Sequence, residues 1–467
     1  MTLGEVNPEL YGRSHRHRTD VGRARRDGAI AVLAFFVANL VLALTVIPPW
    51  QNPDEPQHLD TIRRILMFGP NFTLDMHDVE GERAAVASMA DHGWWQHYGL
   101  PTPDPLPTTF VDGPAKVVGG YFGPPGGGSR LYYGAVAESF RVLHIDNLLW
   151  QLYAMRLMSA FAGLLTLYVL WAGTRLLVGE TAALVVSSLA ALHPQFALAA
   201  TTAGPDAWVN LAGAIFWWRM GALFAAAGST SLNLFLLWAA AIMAFVIRRM
   251  GAPLLIIAGI VTLTELVRSL TPRRSSQVLR TAGIALAIPL LVGAVWPFLP
   301  EDVHRGYAWV QFDLRGSSQT ILDNASQIPR FLKILFTTFW LSAGWLRYAP
   351  PRWWSMTTAV LSGLSFLGFV VAVVRSRRRQ LVFVMTAMLL LQCAAVVAYD
   401  FGVLGSAPQG RYLFPVLPSI LCMIWIGWRH ILIRWTDQRM SAFALIAIMA
   451  VLDLSAWNLV IVPSYAN

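Results

Sequence analysis

The stretch Pro48-Pro49-Trp50-Gln51-Asn52-Pro53-Asp54-Glu55-Pro56-Gln57-His58 sets two adjacent carboxylates among prolines, with a histidine a turn further on. Proline restricts its own backbone and that of the residue before it. Pro56 suits the first position of a helix, which would bring His58 within a turn of the acids. A carboxylate partly withdrawn from water at a bilayer edge serves as a general base or a cation ligand. The plainer alternative is an acidic N-cap on the helix that Gln57–Met67 should form.

Three other stretches carry chemistry. His193-Pro194-Gln195-Phe196 and Gly204-Pro205-Asp206-Ala207 bracket one end of two successive apolar runs. Asp206 either complements the N-terminus of the helix it opens or faces Asp54 and Glu55 as a further acid. Gln409-Gly410-Arg411-Tyr412-Leu413-Phe414-Pro415 places an arginine at a helix end remote from the other basic clusters. Arg411 needs an anionic partner: a lipid phosphate, a ligand, or a carboxylate such as Asp400. A guanidinium matches phosphate geometry well, and snorkelling or a structural ion pair is the bland alternative. Arg248-Arg249 either binds phosphate at headgroup level or snorkels.

These residues need elements to hold them, and the composition says which. Of 467 residues, 56% are hydrophobic and 13% charged, where a soluble domain carries about 25% charged. Eleven apolar runs recur: 28–47, 148–174, 181–199, 207–227, 232–247, 252–267, 281–299, 353–374, 381–398, 412–428 and 441–462. Each is apolar all round and longer than a barrel strand, so each reads as a helix. The fold class expected is all-α integral membrane, with about eleven spans. The formal charge of +9 comes from arginines at run ends, the mark of membrane topology rather than of nucleic-acid binding. Cys393 and Cys422 sit inside apolar runs, as small hydrophobes do.

Clusters at Arg13–Arg26, Arg268–Arg280, Arg375–Arg379 and Arg429–Arg439 fall on one side if eleven runs span, which puts the N-terminus in the cytoplasm and the candidate residues outside. That count requires Phe331–Leu346 to be interfacial or re-entrant. The run 28–47 is too long for a signal-peptide core and reads as a retained anchor. The expected organisation is a basic segment 1–27, a transmembrane module 28–299 containing an outer loop 48–147, an outer loop 300–352, and C-terminal helices 353–467. Loop 48–147 holds twelve acidic and six basic residues, net −6, and is far longer than a connector needs to be. It reads as a folded cap with helices at Gln57–Met67 and Glu80–Tyr98 and a turn cluster at Gly123–Gly128. Tryptophans such as Trp94, Trp95, Trp340 and Trp354 flank the runs and suit an interfacial belt. No nucleotide-binding, zinc-protease or serine-hydrolase motif is present.

A first helix followed by a long loop opening with Pro53-Asp54-Glu55-Pro56-Gln57-His58 resembles the GT-C class of membrane glycosyltransferases. Within that class it resembles an uncharacterised bacterial multi-pass family. The shared features run in order: Leu131-Tyr132-Tyr133, His193-Pro194 with an acidic position at Asp206, Phe339-Trp340 with Gly344-Trp345, and Gln409-Gly410-Arg411-Tyr412. Two departures stand out: Ser129-Arg130 precedes the tyrosines where prolines are usual, and Gly204-Pro205-Asp206 replaces Asn-x-Asp.

The resemblance implies a GT-C-like fold in the bacterial cytoplasmic membrane, with its active site facing outside. It implies a polyprenyl-phosphate-linked sugar as donor, a glycan or lipid acceptor, and inversion at the anomeric carbon. Asp54 or Glu55 would be the base. His58, Asp206, His193, Arg411, Tyr412, Gln409, Arg248 and Arg249 would surround the substrates, with the arginines facing the phosphate. A divalent cation (Mg2+ or Mn2+) at Asp54 and Glu55 is permitted but not required. Polymerisation or ligation of envelope polysaccharide, or transport of lipid intermediates, are the rival functions.

Overall fold

The computed structural model describes residues 8–69, 72, 76–109, 130–269, 283, 325–344, 346–375, 379–398, 408–432 and 436–466. Each apolar run within them is helical. The first helix, α1 (Pro8–Val46), continues the run at 28–47 back through the basic segment. Then come α2 (Glu55–Phe68), α3 (Val79–Asp91), α4 (Trp94–Tyr98) and α5 (Arg130–Leu143), all within the long first loop. The bundle follows: α6 (Leu148–Leu177), α7 (Glu180–Ala191), α8 (Pro194–Thr201), α9 (Asp206–Phe224), α10 (Thr230–Ile247) and α11 (Ala252–Ser269). After these come α12 (Ile328–Trp340), α13 (Arg352–Arg375), α14 (Arg379–Val396), α15 (Leu417–Leu432) and α16 (Gln438–Ala456).

Seven described helices are long and apolar enough to cross a membrane, eight if α7 and α8 form one span bent by 66°. This is a multi-pass membrane protein, and the count covers the described residues alone. The bend falls where Pro194 removes a backbone donor and His193 caps the new helix. The runs at 207–227 and 381–398 are also helical, the second shorter than a full span. The run 281–299 apart from residue 283, the loop residues 300–324, the turn cluster 123–128 and Asp400 lie outside the described residues. At 13 residues, α12 is about 20 Å long, short of the roughly 30 Å hydrocarbon core.

The bundle packs α6 along α9, α9 along α10, and α13 along α15. Small residues allow close approach where little hydrophobic drive exists between helices. At Gly213 in α9 an added Cβ would collide with the Pro415 carbonyl, so this glycine admits the Gly410–Val416 turn against the bundle.

The first loop folds on a core of its own, as its length suggested. Trp50, Leu59, Ile62, Met89, Tyr133 and Phe140 are its buried centre, apart from the main bundle core. The segment expected as one helix at Glu80–Tyr98 is two, broken at Gly93 with φ 65°. Cap helix α5, containing the two tyrosines, was not anticipated. Arg63 pairs with Asp78 at 2.8 Å, and Arg64 lies between Asp60 at 2.9 Å and Glu82 at 3.2 Å. These pairs tie α2 to α3.

Candidate active site

Four separate segments meet at the cap end of the bundle. The link from α1 to α2 supplies Asp54 and Glu55, the start of α9 supplies Asp206, the end of α10 supplies Arg248, and the turn before α15 supplies Arg411 and Tyr412.

Asp54 stands at the N-cap position of α2, yet its side chain makes no capping bond. It reaches instead to Arg411, whose Nη2 donates to Asp54 Oδ2. The side chain therefore does not act as the acidic N-cap of α2. Its backbone is left-handed, φ 66°, a conformation that aspartate adopts more readily than most residues other than glycine. Arg411 also faces Asp206, Nη1 to Oδ2 at 3.3 Å. Arg248 pairs with Asp206 Oδ1, and its Nη2 donates to the Tyr412 hydroxyl at 3.3 Å. Arg411 is 5% exposed, too enclosed for snorkelling to headgroups. Two aspartates and two arginines thus form a neutral, nearly buried quartet. Burial pushes the Asp54 carboxyl up, but Arg411, His58 and Arg248 together hold it below the usual carboxylate value.

Beside the quartet, His58 Nδ1 lies 2.8 Å from the Tyr133 hydroxyl. Burial, with Arg248 and Arg411 against the pull of Asp54, takes the imidazole down to about 3. It is a neutral hydrogen-bonding group at physiological pH. Burial raises the Tyr133 phenol, so that group stays protonated.

Glu55, expected as an alternative base, is differently placed. It is fully buried and gripped by Arg156, Nε to Oε1 and Nη2 to Oε2, each at 2.7 Å. Asn52 Nδ2 and the Ala203 amide add bonds of 3.1 and 3.3 Å. With its oxygens occupied, Glu55 has no reach to a substrate. His193 is also remote from solvent. It caps α8 through Nδ1, stacks on Trp340 at 5.1 Å and meets Phe339 and Phe414 edge-on. Its place is the aromatic wall at the α7–α8 break. Gln409 begins the turn that carries Arg411, and Arg249 sits half-buried in the turn after Arg248.

Residues that the sequence reading passed over brace the site. Arg156, inside the apolar run 148–174, is the partner of Glu55. Gln392, alone in an apolar run, donates from Nε2 to Tyr412 O at 2.7 Å and to Met250 O at 2.9 Å, joining the turns behind Arg411 and Arg248. Thr338 Oγ1 accepts from the Gly410 amide at 2.8 Å. A lone amide in an apolar helix was the available signal for Gln392. Nothing local marks Thr338.

Each candidate carboxylate already faces a guanidinium, and among the described residues no three His, Cys, Asp or Glu side chains converge as ligands. A narrow cleft runs beside Arg411, lined in part by Asn52, Gln195, Thr202, Ser342 and Tyr465.

The fold and site define a multi-pass, all-helical membrane protein with an arginine-neutralised aspartate pair at one end of its bundle. No protein-family profile matches the sequence, and no curated protein matches it. Among solved structures, the chain is similar to the apo crystal structure of ArnT from Cupriavidus metallidurans. The TM-score is 0.47 and the identity 14%, over 95% of this chain and 74% of that one. At that level the likeness carries no functional argument, and the site is read from its own side chains.

Proposed function

We propose that this chain is a glycosyltransferase of the bacterial cytoplasmic membrane, working at its outer face. It moves a sugar from a polyprenyl-phosphate donor to a glycan or lipid acceptor of the cell envelope, with inversion. The observation that carries the reading is the convergence of Asp54 and Arg411, 357 positions apart in sequence, in one partly buried pair. A membrane-embedded donor with a phosphate leaving group needs a base beside a cation at the bilayer edge, and the pair supplies both.

Asp54 is the base, since Glu55 is committed to Arg156. The donor phosphate takes over the guanidinium of Arg411, with Arg248 beside it. Releasing Asp54 from Arg411 raises its basicity when substrate is present. Asp54 accepts the proton of the acceptor hydroxyl. The hydroxyl oxygen bonds to the anomeric carbon, and the carbon–oxygen bond to phosphate breaks. Its electron pair stays on the phosphate oxygen, where the arginines stabilise the added charge.

Asp54→Asn and Arg411→Ala should each abolish transfer of labelled sugar in proteoliposomes while the protein still inserts. Normal transfer by both variants would end the proposal. Movement of a labelled lipid intermediate across the bilayer, with no glycosidic product, would favour transport instead.

A further inference from the structure

We infer that Arg156 and Glu55 are positioning residues: this pair fixes the link that carries Asp54, and so the spacing between Asp54 and Arg411, without touching substrate. The inference rests on the glycosyl-transfer reading. Besides its two bonds to Glu55, Arg156 donates from Nη1 to Ile47 O and from Nη2 to Pro48 O, both at 2.8 Å. Glu55 in turn holds Asn52 and the Ala203 amide. One buried pair therefore joins the end of α1, the first turn of α2, the side of α6 and the segment leading to Asp206. Neither side chain has measurable exposure, so substrate does not reach them.

Asp54 lies inside this frame in a left-handed conformation. A buried ion pair adds little stability over apolar packing. A planar, bidentate fork does define position and angle closely. Misplacing a reacting group by about 1 Å costs on the order of a hundredfold in rate. The frame thus serves the base more than the fold.

Arg156→Lys keeps the charge and loses the fork, whereas Glu55→Gln with Arg156→Gln removes both charges. Each is assayed in proteoliposomes with a polyprenyl-phosphate-linked sugar, and kcat is expressed per folded protein. Both should lower kcat by about ten- to hundredfold, leave the donor KM within about twofold, and insert normally. A purely structural pair would lower the folded fraction and leave kcat intact.

A readout independent of activity uses Asp54→Cys with Arg411→Cys, the native Cys393 and Cys422 being replaced by Ser. A short bifunctional thiol reagent should bridge the two cysteines efficiently with Arg156 present and several-fold less with Arg156→Lys, since an arginine–aspartate pair holds its Cα atoms too far apart for a direct disulfide. Wild-type kcat in both variants, an effect on KM alone, equal cross-linking, or failure of both variants to insert would overturn the inference. An inactive wild-type protein whose cross-link still depends on Arg156 would instead overturn the transferase reading and keep the frame.

Discussion

Replacing Arg411 with glutamine separates its two roles. The guanidinium faces both Asp54 and Asp206, so the variant leaves two carboxylates around Arg248 alone. Burial then acts on Asp54 without its principal counterweight, and its proton affinity rises. The base works deprotonated, so activity must fall as the medium becomes acidic, where the parent enzyme keeps its carboxylate ionised. Two unit charges about 4 Å apart in surroundings of effective dielectric near 20 attract by about 4 kcal/mol. Arg248 retains about half of that benefit, so about 2 kcal/mol is lost, or roughly thirtyfold in rate. Loss of a phosphate-facing donor costs a further factor of about 100 to 1,000 at every pH. The assay is initial transfer from a labelled polyprenyl-phosphate sugar in proteoliposomes, followed from weakly alkaline to acidic buffer. Arg411→Gln should show the uniform loss and, in addition, a kcat/KM falling about thirtyfold more steeply than the parent on acidification. A variant profile parallel to the parent's would refute the coupling of Arg411 to Asp54.

Other expectations follow from the surroundings. Burial pushes Asp60 up to about 6 against the pull of Arg64, and the neighbouring Glu82, which shares that arginine, adds to the rise. Its folded value exceeds the ordinary 3.8, so the folded cap binds more protons between these values and loses stability as pH rises through them. Hydrogen exchange over residues 55–91 should show that loss, and Asp60→Asn should flatten it; an unchanged slope would count against the sharing. An added Cβ at Gly410 would collide with the Phe339 backbone, so Gly410→Ala should displace Arg411 and lower transfer at least tenfold, whereas wild-type kcat/KM would show that the turn yields. Gln392→Leu strands the Tyr412 and Met250 carbonyls and should lower the unfolding midpoint in detergent, at a cost of about 1–3 kcal/mol. An unchanged midpoint would mean that neither bond matters.

The helices were legible because apolar runs of spanning length have few other solutions in lipid. The side chains at the cap end were legible where chemistry is conspicuous: Asp54 between prolines, and Arg411 remote from the other arginines. What the sequence hid is pairing. Glu55 and Asp54 are adjacent and chemically equivalent on paper, and only the position of Arg156, 101 residues beyond Glu55, separates the braced acid from the available one. His193 read as a substrate-facing residue because its aromatic enclosure comes from two distant segments, Phe339-Trp340 and Phe414. Helix α5 was missed because its amphipathic pattern begins beside a glycine-rich stretch that drew the reading toward a loop.

The Arg156–Glu55 pair also bears on how the chain is made. Arg156 is the ninth residue of α6, about 12 Å along the helix from its start. An unpartnered arginine deep in a nascent span costs a few kcal/mol to insert. Its acidic partner precedes it in the chain and emerges first from the ribosome. Biogenesis then has a built-in order: the loop must wait, carboxylate ready, until the sixth helix arrives, and a ribosome stalled between the two would leave the membrane holding an acid with nothing to answer it.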